Sequence, residues 1–329
     1  MDVSEMVVIP IMMLLFGALL SFMVGGNNAV PGISILIATN VIKRRYVIVV
    51  SCLAMFLGAY LGSIRMVNYT LTVFSGPMQL LQIIGLSSLL TSLGSFYFLN
   101  RRGIPTSLSQ MLLPSLVILS LITSSIHIYW SKVDLTVISW VIAPIASAFS
   151  SIILINIIRK TINRFIDKNL IVSMKIYKIL ILISSSLIIF VLGANTIGLI
   201  ISVGLIGSRS ISIIVPFVFA VMSALGVLLL SKRSALKMGF KLAKLNYSSS
   251  SSVMLSSFLV SEIFTLIGIP ISLTQVTMGG IMGISLLDLN RSNIPELKKI
   301  LTTWSIAPTV CLLGSTVSYE ALLSILLHY

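Results

Sequence analysis

The sequence predicts an all-α integral membrane protein. It should have about ten transmembrane segments in two inverted five-segment repeats, with broken or re-entrant helices. Three observations carry this expectation. Of the 329 residues, 57% are hydrophobic and 9% charged, with a mean hydropathy of +1.11, whereas soluble domains average about 25% charged. Apolar runs long enough to cross a bilayer core of about 30 Å as helices recur along the chain, without the alternation that a membrane barrel requires. The chain also repeats itself. Gly25-Gly26-Asn27-Asn28 is answered by Gly193-Ala194-Asn195-Thr196, the stretch from Gly103 to Gln110 by Gly268 to Gln275, and Trp140 to Pro144 by Trp304 to Pro308. The order of the three motifs is kept, and the shift between copies is nearly constant.

Ten apolar segments follow one another: Met6–Val24, Tyr46–Ile64, Met78–Leu99, Ile104–Ser124, Leu135–Ile158, Ile179–Leu192, Ile211–Leu230, Val253–Ile267, Ile269–Leu287 and Ile300–Leu326. The first five make a repeat over residues 1–158. A cytoplasmic linker occupies 159–178, and the second repeat fills 179–329. The odd-numbered loops hold nineteen of the 22 Lys and Arg residues and the even-numbered loops three. That asymmetry places the odd loops in the cytoplasm and both termini outside. The net charge of +14 is therefore an orientation signal in the cell membrane and not a nucleic-acid surface. Met1 to Glu5 lacks the positive start of a secretory signal. Five spans per repeat invert the second repeat relative to the first, an architecture found in secondary transporters.

Two stretches exceed one span. Met6 to Ile42 would reach about 55 Å as a straight helix, which predicts a break at Gly25–Asn28, and Lys178 to Ser208 predicts another at Gly193–Thr196. Gly103-Ile104-Pro105 and Gly268-Ile269-Pro270 predict a second pair of breaks, and segments eight and nine read as two spans or as one re-entrant hairpin. Ser248–Ser252 reads as a flexible entry to segment eight.

A half-helix beginning at a break turns free N–H groups and a positive dipole end toward a cavity, which suits an anion. The candidate binding residues are Gly25, Gly26, Asn27 and Asn28 with Gly193, Ala194, Asn195 and Thr196. To these are added Ser107, Ser109 and Gln110 with Ser272, Thr274 and Gln275. The glycines would allow close backbone approach to a ligand, and the polar side chains would donate to it. The rival role for the hydroxyls is capping or bridging of helices. Trp140…Pro144 and Trp304…Pro308 read as packing and hinge elements. Of the eight acidic residues only Glu262 and Glu320 fall within apolar segments, and Glu262 is the candidate for proton or cation coupling. Cys52, Cys311, His127 and His328 form no metal or disulfide pattern, and no metallohydrolase motif or intramembrane Cys/His cluster marks an enzyme.

On these motifs the chain resembles the inorganic phosphate transporter (PiT) family, which carries a duplicated Gly-Ala-Asn-Asp motif and, in each half, a Gly-x-Pro-x-Ser-x-Thr-His/Gln motif. The resemblance implies an alternating-access permease for inorganic phosphate. It implies proton or sodium coupling, no cofactor, and an ion site near Asn28 and Thr196. Those two residues stand where the family has aspartate. Losing both charges should weaken sodium binding, since hard cations prefer anionic oxygen. Sulfate or another oxyanion, an uncoupled anion channel and a non-transporting sensor are the alternative readings. Similar transporters associate, so a homodimer is expected.

Overall fold

The computed structural model describes residues 3–102, 106–166, 170–208, 213–242, 246–287 and 294–327. Its helices are α1 (Val3–Asn28), α2 (Val30–Ala38), α3 (Arg44–Leu57), the short α4 (Ile64–Val67) and α5 (Tyr69–Val73), α6 (Met78–Arg101) and α7 (Ser109–Ile122) in the first half. The long α8 (Trp130–Ile166) closes that half. The second half holds α9 (Leu170–Leu192), α10 (Gly198–Gly204), α11 (Ile214–Leu242), α12 (Tyr247–Leu266), α13 (Leu273–Leu287) and α14 (Ile294–Leu327). Two-residue strands β1 (Phe74–Ser75) and β2 (His127–Ile128) pair antiparallel and join the connections before α6 and α8. Among the described residues, eight helical spans are long and apolar enough to cross a membrane, with α1 running on into α2, α3 into a π-helical turn at Gly58–Gly62, and α9 into α10. α7 and α13 are shorter apolar helices. Their 14 and 15 residues reach only about 21 and 23 Å.

The helices do not unwind at the first motif pair. α1 runs through Gly25 to Asn28, and only Ala29 interrupts it, with near-helical φ −75° and ψ −13°. The amide of Ile33 still donates to the Ala29 carbonyl at 3.1 Å. At the second copy, Gly193–Ile197 forms a π-helical turn that leads directly from α9 into α10. The long segment continues without a full break, as a 31-residue span of about 46 Å. A true break would strand backbone groups in hydrocarbon, whereas a π-turn keeps them hydrogen-bonded.

The glycines of these motifs are explained by helix crossings, and the close approach they permit is to a neighbouring helix. A Cβ on Gly25 would run into the Ser223 carbonyl of α11, and one on Gly226 of α11 would run into the Phe22 carbonyl of α1. The second copy makes the same pair of contacts: Gly193 lies against the Met55 carbonyl of α3, and Gly58 against the Phe190 carbonyl of α9. One shift along the sequence carries Gly25 to Gly193, Phe22 to Phe190, Met55 to Ser223 and Gly58 to Gly226. Reciprocal contacts of this kind are what a two-fold relation between equivalent parts produces. Lipid offers helices no hydrophobic drive to associate, so small residues and the close packing they allow must supply it.

One further expectation is corrected. Ser248–Ser252 is not a flexible entry but the buried first turns of α12. Asn246 caps that helix by accepting from the Ser249 amide at 2.8 Å, and Ser251 and Ser252 donate back to the carbonyls of Tyr247 and Ser248, which satisfies hydroxyls in a low-dielectric interior. Residues 159–178 are largely helical, as α8 continues to Ile166 and α9 begins at Leu170. Pro144 lies inside α8, where its carbonyl packs against Gly279 of α13.

Gly226→Ala should lower the melting temperature of the detergent-solubilised protein, costing about 1–3 kcal/mol as backbone shifts to admit the methyl. Gly94→Ala is the control. No heavy atom lies within 4 Å of the Cβ it would add, so helix propensity alone should leave stability unchanged or raise it by up to about 1 kcal/mol. Equal melting temperatures for the two variants would contradict the crossing geometry.

Candidate functional site

The interruption that matters lies between α12 and α13. Gly268 adopts φ +74°, a left-handed conformation that favours glycine. Its amide donates to the Thr265 carbonyl at 3.0 Å, and the next amide, Ile269, reaches back to Phe264 at 2.9 Å. This pair of bonds is a Schellman stop, with glycine at the left-handed position and proline soon after it. Gly268-Ile269-Pro270 is therefore a helix terminator written into the sequence. The matching Gly103, Ile104 and Pro105 lie outside the described residues.

At Ser272 the chain turns helical again. This residue caps α13: its hydroxyl accepts from the Gln275 amide at 3.4 Å, and its carbonyl accepts from Val276 at 3.0 Å. Ser-Leu-Thr-Gln has the spacing of a capping box, but the Gln275 side chain does not fold back onto the cap. It crosses to the first half, where Gln275 Nε2 donates to Gln110 Oε1 at 3.0 Å and Gln110 Nε2 donates to Gln275 Oε1 at 3.3 Å. The hydroxyls repeat between halves as well: Ser107 and Ser109 lie 3.2 Å apart, as do Ser272 and Thr274. The starts of two short helices thus converge on one buried glutamine pair. The first N–H groups of each helix have no carbonyl within their own helix to receive them.

Ser272 caps its helix here, and Thr274 borders a cavity. Ser107, Ser109, Gln110, Ser272 and Gln275 are all buried. Beside them a cavity of about 10 Å³ is bounded by Asn28, Ala29 and Gly32 at the α1–α2 junction, Ile188 and Leu192 of α9, and Thr274 and Thr277 of α13. Asn28 and Thr274, predicted separately, therefore share one crevice. Asn27 donates to Asn100 Oδ1 at 2.9 Å and to Asn28 Oδ1 at 3.3 Å. Asn195 bonds the residues around Pro270, and Thr196 is buried in the same π-turn. Gly25, Gly26 and Gly193 face neighbouring helices, and Ala194 is buried against Gly62.

Glu262 stands one turn before Thr265 on α12. It is partly exposed, with its Oε2 buried and unbonded among the described residues. Glu320 is exposed on α14. No group of three or more His, Cys, Asp or Glu able to hold a metal ion occurs among the described residues. Asn100 and Thr265 lie outside the sequence motifs and meet Asn27 and Asn195. Their signal was available, because the shift that carries Gly103 to Gly268 also carries Asn100 to Thr265.

A family model described as the phosphate transporter family matches residues 24–315. The chain belongs to the phosphate transporter family. Among relatives of this member is a protein of Methanocaldococcus jannaschii named for an inferred phosphate permease activity. It is 25% identical over 295 residues, covering 89% of this chain and 91% of that one. A solved structure described as the sodium-dependent phosphate transporter shares the fold with a TM-score of 0.83 at 18% identity, covering 97% of this chain and all of that one. The family and fold are those of multi-pass membrane transporters.

Gly268→Val should destabilise the protein by about 1–2 kcal/mol, because a residue with a Cβ resists the left-handed region. Gly268→Asn should cost less, since asparagine tolerates that conformation. Thermal unfolding in detergent checks the order, and a valine variant as stable as wild type would be incompatible with the terminator.

Proposed function

We propose that this protein is a secondary-active permease that carries inorganic phosphate across the cytoplasmic membrane by alternating access. The observation that supports it most is the convergence of α7 and α13 on Gln110 and Gln275, flanked by Ser107, Ser109, Ser272 and Thr274. Each helix N-terminus carries about half a positive charge. Together they supply about one charge for a buried oxyanion, and no Lys or Arg stands among these motif residues. Hydroxyl and carboxamide groups both donate and accept, so they can serve phosphate oxygens and a phosphate hydroxyl alike. The phosphate permease named among the relatives and the phosphate transporter sharing the fold favour phosphate over sulfate.

The size of the cavity supports alternating access over a standing pore. About 10 Å³ is marginal for one water molecule and far too small for phosphate, so the ion would enter this crevice only if its walls move. The reciprocal crossings of α1 on α11 and α3 on α9 fit two inverted halves that rock about a shared centre. The basic loops would face the cytoplasm, with both termini outside.

Coupling is to protons and not to sodium. Asn28 and Thr196 themselves offer only a neutral amide and a hydroxyl, a poor pair for a hard cation that prefers carboxylate. Glu262 is the coupling carboxylate: it is membrane-embedded, with one oxygen unbonded, and such groups mark proton paths.

Purified protein in liposomes should take up labelled phosphate saturably. An inward proton gradient should accelerate uptake, and replacing sodium with choline should leave it unchanged. Absence of saturable uptake under any gradient would reject the assignment, and sodium-driven uptake would reverse the coupling. Glu262→Gln should lose the acceleration by the proton gradient while retaining phosphate–phosphate exchange. Gln275→Glu places a negative charge against the anion and should reduce uptake by about tenfold or more, equivalent to at least about 1.4 kcal/mol.

A further inference from the structure

We propose that Asn195 is a positioning residue of the transport site: its buried carboxamide fastens the non-helical segment ahead of α13, so that the helix N-terminus is held where the anion binds. This rests on the phosphate reading above and assigns Asn195 a part that does not involve touching the ion.

The side chain is fully buried, at 0% exposure, and both of its N–H donors are taken up by protein. Nδ2 donates to Thr265 Oγ1 at 3.0 Å and to the Ile269 carbonyl at 3.0 Å. Oδ1 accepts from the Ile271 amide at 3.1 Å. A carboxamide has two N–H donors, and both are used, so none remains to donate to phosphate. The partners are the groups most in need of satisfaction. Ile269 and Ile271 flank Pro270 in the stretch that belongs to neither helix, and unbonded backbone at membrane depth is strongly disfavoured. Thr265 is itself oriented, since its hydroxyl donates to the Ser261 carbonyl at 2.8 Å and leaves its oxygen to accept from Asn195.

The location of Asn195 on the π-helical turn Gly193–Ile197 fits this part. A π-turn carries an extra residue and redirects the side chains on it. The first half makes a corresponding contact: Asn27, the repeat counterpart of Asn195, donates to Oδ1 of Asn100, the counterpart of Thr265. Each asparagine thus ties its own helix to the last turns of the helix, α6 or α12, that precedes a Gly-Ile-Pro motif.

Two readouts test the proposal. Hydrogen exchange in detergent needs no substrate: Asn195→Ala should speed exchange of the Ile271 amide, whereas Asn195→Asp, which keeps an accepting oxygen, should preserve most of its protection. Unchanged exchange in Asn195→Ala would overturn the fastening while leaving the phosphate reading intact. Phosphate transport supplies the second readout. Thr265→Val should raise KM by about tenfold with kcat within about threefold, the signature of lost binding geometry, and Thr265→Ser should restore it. The double variant Asn195→Ala/Thr265→Val should be no worse than Asn195→Ala, as expected for residues acting as a unit. A wild-type KM for Thr265→Val beside abolished binding in Asn195→Ala would make Asn195 a direct ligand and refute the assignment. Wild-type protein that carries no phosphate, with the exchange pattern as expected, would sink the transport reading alone.

Discussion

A chain that leaves the helix inside a membrane must find hydrogen-bond partners in the protein, because lipid supplies none. The architecture around residues 264–276 follows from that demand. Gly268 and Ile269 return their amides to the last turn of α12. Asn195 takes up the amide and carbonyl on either side of Pro270, and Ser272 receives the first groups of α13. The interruption is tolerated because these polar groups find partners within the protein.

Packing then fixes where these heads lie. Helices in lipid gain little from apolar faces alone and must approach closely to be held. The glycine contacts of α1 with α11 and of α3 with α9 set four long helices against one another across the two halves. Within that frame Gln110 and Gln275 meet at hydrogen-bonding distance. The glutamine pair joins the halves through equivalent atoms, which requires the surrounding helices to be placed alike in both.

Much of this was legible in the sequence, for physical reasons that differ by residue. Hydropathy and repeated motifs reveal spans and duplication because bilayer thickness and symmetry leave periodic traces. Gly268-Ile269-Pro270 is readable because glycine and proline have few other uses in that order. Gly25 and Gly193 were misleading. A glycine that admits a turn and one that admits a neighbouring helix look alike until the neighbour is in place, so helix breaks were expected where crossings occur. The serine run before Val253 was misread for a related reason, since hydroxyls that would be mobile in water bond back to their own helix when buried. Asn100 and Thr265 belong to no helix-breaking motif; the shift between the repeats pairs them with each other, and their partners far along the chain show what they do.

The reciprocity of the glycine crossings reaches beyond packing. Each crossing joins a helix of one half to a helix of the other, so neither half closes its own glycine-lined surface. Severing the chain between α8 and α9 would cut no such contact, and the separated fragments would each present a seam shaped for the other. Cohesion between the halves is thus a property of complementary surfaces.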